Sequence, residues 1–153
     1  MAIRILATFP GTADLKGKSS FKDKPDTTEI QVLGWGVSSY ARAGVTQGDR
    51  AANNVCVNKV VDGISAILML YAAKGTHIPS AVFELYHKDR TGKEAVFSTI
   101  TLTDVLVTNV AMSEVPNSDV GSESVSFDYA QISVVAFGKT HTDALRVVTK
   151  DVK

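Results

Sequence analysis

Three histidines, a single cysteine and a serine near a helix start are the side chains whose chemistry comes first into question. A hydrolase nucleophile of the elbow type needs a serine between two glycines, on a sharp strand-to-helix turn that exposes its hydroxyl. The nearest stretch, Gly63-Ile64-Ser65-Ala66-Ile67, lacks the second glycine and opens a helix with no such turn behind it. Ser65 therefore reads as a helix-start serine. His77, His87 and His141 have neither the spacing of metal ligands nor Cys or carboxylate partners in a metal pattern. His77, two residues before Pro79, reads as a turn or helix-exit residue. Cys56 lies between Val55 and Val57 and reads as a small strand residue. Gly34-Trp35-Gly36 lacks the third glycine of a phosphate loop, and no helix follows to lend its N-terminal amides. Asp and Glu concentrate in loops and at strand ends, where solvated charge is expected. The sequence thus predicts no catalytic residue, no cofactor and no metal, and no enzyme.

Charge narrows the partners. Sixteen basic residues balance sixteen acidic ones, whereas nucleic-acid binding relies on an excess of Lys and Arg. No basic stripe exists here, and nucleic acid is excluded as a partner. A chain near neutrality also lacks the self-repulsion that keeps copies apart, so self-association is electrostatically unopposed. One cysteine excludes an intramolecular disulfide framework and suits a reducing compartment. Residues 1–7 have no extended apolar core of signal-peptide type. No apolar run approaches the ~20 residues that cross a bilayer, so no direct membrane insertion is expected. The protein is expected to be cytoplasmic when made and, if it leaves, to be secreted without a cleaved signal peptide. With 153 residues the chain has the size of one domain and can bury roughly 70% of its unfolded surface.

The elements that must carry whatever function exists are mostly strands. Residues 3–9 form a first apolar strand, and 11–28 are a loop by composition. Residues 29–37 read as strand two, where Gly34 and Gly36 mark a bulge or a close backbone approach. Residues 38–54 have no strand or helix period; a loop this long is either functional or a mobile surface feature. Residues 55–61 are strand three. Ile64, Ile67, Leu68 and Tyr71 share one face of a helix over 64–74, with Asp62 as its cap and Gly75 as its stop. Met69, Leu70 and Ala72 widen that apolar surface, predicting cover on more than one side. A strand over 81–87, turn chemistry at 89–92 and a β-rich run over 93–112 make a hairpin; the run is too long for one strand and is broken near Thr103-Asp104. After a loop over 114–122, Val125, Phe127 and Tyr129 share a parity that Ile132 and Val134 reverse, which requires a bulge or bend near Ala130-Gln131. Residues 145–152 form a last edge strand. About seven to eight strands and one flanking α-helix predict a mainly β fold, an antiparallel β-barrel or sandwich.

Four local patterns then occur in a fixed order. They are Glu29-Ile30-Gln31-Val32-Leu33-Gly34-Trp35-Gly36; Leu68-Met69-Leu70 running into Lys74-Gly75-Thr76-His77-Ile78-Pro79-Ser80-Ala81; residues 100–110, from Ile100-Thr101-Leu102 to Asn109-Val110; and Glu123-Ser124-Val125-Ser126-Phe127-Asp128-Tyr129-Ala130-Gln131-Ile132-Ser133-Val134. In this order and spacing the chain resembles the Hcp (haemolysin-coregulated protein) family, the tube subunit of bacterial type VI secretion systems. The resemblance covers roughly residues 3–137.

The resemblance implies a single tube domain over 1–153, with an extended loop at 38–54 and a C-terminal tail at 138–153. It implies self-association into hexameric rings that stack into a hollow conduit, expelled by a contractile sheath. Sheath, spike and baseplate proteins would be partners, and effector proteins would travel in the lumen. Arg42, Asp49 and Arg50 in the extended loop become candidates for contact between rings. Gly34 and Gly36 become candidates to face the lumen; the family often carries a polar residue where Gly36 stands, so no cargo contact is assigned to it. Two other readings stay open: a tail-tube subunit of a contractile phage or related injection particle, and a ligand-binding β-barrel, whose densely apolar inward faces favour a filled core over a pocket.

Overall fold

A computed structural model describes residues 3–17, 26–39, 50–52, 54–88, 90–113, 116 and 121–143. The sheet order is β2 (Thr28–Ile30), β1 (Ile3–Thr8), β7 (His77–Lys88), β8 (Glu94–Ser113), β9 (Ser122–Ala136), β6 (Val55–Val60) and β3 (Val32–Gly34), all neighbours antiparallel. The two ends of this order, β2 and β3, are separated in the chain by Gln31 alone, whose N–H donates to the Asn58 carbonyl at 2.8 Å. The seven strands therefore curl into a nearly closed barrel with one helix, α1 (Ser65–Lys74), laid on β8.

This overturns the single strand expected over 29–37. Its alternation is real, but Gln31 turns the chain, so Thr28–Ile30 pair with β1 while Val32–Gly34 pair with β6. Trp35 and Gly36 are unpaired, and Val37–Ser39 (β4) form a separate two-stranded sheet with Arg50–Ala52 (β5). The ends of the segment read as an unstructured loop are thus strands.

Along β7, β8 and β9 the inward parity reverses between the same two rungs. Ile78, Val105 and Tyr129 are buried on one rung; the next, Ser80, Thr103 and Gln131, is not, and burial resumes at Ala81, Leu102 and Ile132. Pro79, Asp104 and Ala130 lie between these rungs. Asp104 has φ 54, in the left-handed region that short polar side chains tolerate. Pro79 has no N–H to give a ladder and is at home in such an irregularity. The expected bend near Ala130-Gln131 is present. The expected break at Thr103-Asp104 is instead a kink within one continuous strand, and His77 joins β7 because Pro79 sits at that kink.

The helix forms as its pattern requires. Ile64 and Leu68 are buried, with Ile67 and Tyr71 packed against the core. The N-cap position falls to Ile64, with no side-chain cap, and not to the expected Asp62, whose Oδ1 accepts the Ile64 N–H at 3.1 Å from outside the helix; Gly75, at φ 67, stops the helix by donating to the Tyr71 carbonyl. Met69 and Leu70 are exposed; within the chain the helix is covered on one side only. At the other end of the chain, Phe137 and Gly138, both with positive φ, turn the backbone into β10 (Lys139–Asp143), which pairs with β9. The expected strand over 145–152 lies outside the described residues.

Candidate assembly site

The β4–β5 stem is a separate two-stranded sheet, joined along the chain to β3 on one side and β6 on the other. Arg50 lies in β5, its backbone opposite Ser39; Arg42 and Asp49 lie outside the described residues. The stem leaves the barrel from Gly34, Trp35 and Gly36. Gly34 is exposed, and a side chain there would meet only the Cys56 carbonyl, at 3.9 Å. Gly36 is half-buried.

Both legs of the stem are tied to the barrel. Trp35 Nε1–H donates to Tyr129 Oη at 2.8 Å. Asn54 Nδ2–H donates to Thr108 Oγ1 at 3.4 Å, and that hydroxyl donates to the Ser126 carbonyl at 3.2 Å. The outward wall beside them is uncharged and mostly small. On one rung stand Gly34, Cys56, Ser126 and Asn109, and on the next Val32, Asn58, Ser124 and Ala111. None of these is charged, because the charged residues of the neighbouring rung, Lys59 and Glu123, point inward.

Those two form a buried network. Lys59 is 1% and Glu123 2% exposed, and they face each other across β6 and β9. The Lys59 ammonium is paired with Glu123 Oε1 and donates to Asp62 Oδ1 at 2.7 Å and the Val60 carbonyl at 3.0 Å. Ser65 Oγ donates to Glu123 Oε1 at 2.9 Å and accepts the Asp62 N–H at 2.9 Å. An ammonium held by two carboxylates cannot serve as a base for Ser65; the cluster docks the helix start onto the barrel. Its signal was present in the sequence: Lys59 continues the parity of Val55 and Val57, and Glu123 begins that of Val125 and Phe127. Neither charge belongs on an apolar face unless each meets the other.

The remaining chemistry-bearing side chains stay apart. His77 Nδ1 contacts Asp104 Oδ1 at 2.5 Å on the surface, and His87 packs edge-on to Phe97. The backbone of His141 is in β10. Cys56 is exposed, 3.4 Å from Ser126 Oγ. Burial, and next the Glu84 carboxylate beside it, holds the Tyr86 phenol above its ordinary pKa. Among the described residues no three His, Cys, Asp or Glu side chains gather in a metal-binding group, and no helix is long and apolar enough to cross a membrane. The cavity between Phe9, Val57, Leu68 and Phe127 measures about 10 Å³, at the lower limit for one water. The barrel interior there is filled by side chains.

Residues 8–135 match the family model described as type VI secretion system effector, Hcp. The chain belongs to the Hcp family. Hcp proteins are structural, secreted components of type VI secretion systems. The protein hcp1 of Pseudomonas aeruginosa is 30% identical over 132 residues, covering 82% of this chain and 80% of that protein. Among solved structures, Hcp1 from Escherichia coli EAEC 042 matches with a TM-score of 0.80 at 20% identity, over 95% of this chain and 99% of its own. Hcp3 from Pseudomonas aeruginosa gives 0.79 at 17% identity, over 95% and 99%. These structural likenesses carry the Hcp fold.

Proposed function

We propose that this Hcp chain is a passive conduit subunit: its whole length acts as one tube domain, six copies close into a ring, and rings stack into a hollow tube. The observation that supports this reading is a separate two-stranded stem anchored beside an uncharged wall of mostly small residues. A cyclic ring needs two different complementary surfaces on each subunit, and a sheet face without charge or bulk suits a channel through which folded cargo passes. The exposed Met69, Leu70 and Phe137 are apolar surface of the kind that assembly covers. In this reading a contractile sheath propels the tube beneath a spike, and effectors ride in the lumen. Arg42, Asp49 and Arg50 contact the neighbouring ring, and Gly34 and Gly36 line the lumen.

Light scattering with negative-stain imaging tests the ring. Six subunits of 16.3 kDa give a particle of about 98 kDa with a central hole; a monomer at high concentration would remove the conduit reading. Reversing Arg42 and Arg50 together to Glu lowers tube yield about tenfold, the effect of about 1.4 kcal/mol at the ring-to-ring contact, while single rings persist. Unchanged tube yield would dismiss the arm as the stacking element. Gly36→Arg leaves ring mass unchanged but reduces effector co-purification, and a ring that falls apart instead assigns Gly36 to the fold.

A further inference from the structure

The β4–β5 stem is a sheet of its own, with no ladder to the barrel. A two-stranded hairpin is marginal alone, so its direction must be set where the chain enters and leaves it. Trp35 stands two residues before Val37, and Asn54 two residues after Ala52. Each places a side-chain hydrogen bond onto the β8–β9 pair, at Tyr129 and at Thr108 with Ser126. The two anchors are unequal. The Asn54 bond is exposed and long at 3.4 Å, so water competes for it. The Trp35 bond is 2.8 Å and partly buried, its indole packs against the core, and Tyr129 is 2% exposed, on the rung beside the three-strand kink. A buried tyrosine hydroxyl requires a partner, and an indole N–H can only donate, so the pair fixes both rings in one arrangement.

We infer that the Trp35–Tyr129 hydrogen bond is the positioning element that sets the direction of the arm relative to the barrel. The role of that direction in stacking rests on the conduit reading; the direction itself does not. Tyr129→Phe removes the acceptor and keeps the ring's packing, and Trp35→Phe removes the donor as a second route. On a Cys56→Ser background, nitroxide labels at Ser38→Cys and Lys74→Cys report the arm-to-helix distance by pulsed electron resonance, with labelled subunits diluted into unlabelled protein. Either phenylalanine variant should still melt cooperatively as a folded protein, at a somewhat lower midpoint, while broadening the distance distribution at least twofold at a temperature well below that midpoint. A distribution as narrow as that of the parent in both variants overturns the inference. Tube growth is scored in the same samples. A broadened distribution with slower growth supports both the anchor and the stacking role of the arm. A broadened distribution with parental growth supports the anchor and removes the arm from stacking.

Discussion

Lys59→Met lowers the unfolding free energy by about 3–5 kcal/mol, the loss that follows when one partner of a buried ion pair is removed. Glu123 is then left 2% exposed without its ammonium, and its second oxygen, Oε2, already has no partner. Ser65 still donates to Oε1, but a neutral hydroxyl offsets only part of the desolvation of a carboxylate. Asp62 loses less, because its carboxylate is partly solvated. The helix start, held through Ser65 and Asp62, loosens with it. Lys59→Met combined with Glu123→Leu recovers most of the loss, since an apolar pair of similar volume suits Val57 and Val125 beside it. Urea titration at one fixed protein concentration measures both variants, so that the proposed self-association, which would add concentration-dependent stability, enters both equally. A single-variant loss below about 1 kcal/mol would mean that water reaches Glu123.

The second large effect is expected at the barrel centre. Phe127→Ala costs about 3–5 kcal/mol, the transfer free energy of the ring plus the cavity it leaves. Phe127 is 1% exposed and meets Phe9 and Phe83 at ring-centroid distances of 5.9 and 6.0 Å. Its rung pairs Val55 on one side and Val107 on the other, so the surrounding strands cannot close over the gap. Phe127→Leu retains most of the volume and should cost clearly less in the same titration. Equal costs for the two variants would show that the site relaxes and that ring packing is not what holds it.

Much of this fold is legible in the residues, and the exceptions share a cause. Alternation names strands and even the reversal at Ala130-Gln131, because burial on one face writes itself into side-chain parity. It cannot say which partner a strand takes, so residues 29–37 read as one strand although Gln31 hands them from one sheet edge to the other. Pro79 hides the start of β7, since a proline argues against a central strand until Asp104 is seen to interrupt the ladder beside it. Lys139–Asp143 is polar throughout, and only pairing with β9 makes it a strand. The Trp35–Tyr129 bond joins residues distant in the chain and nothing local announces it, whereas Lys59 and Glu123 each stand out as a charge on an apolar parity, although neither says which residue it meets. The family patterns carry the functional reading further than any single residue does, while the contact candidates Arg42 and Asp49 rest on resemblance alone.

The handover at Gln31 bears on how such a chain can be stored. A sheet left open would offer two rows of unpaired amides and carbonyls, the template on which foreign strands and amyloid grow. Here the terminal strands β2 and β3 are three residues each and nearly meet. A foreign strand therefore finds little to extend at β2 and β3, and among the described residues the open edges are left to β10 and the β4–β5 pair.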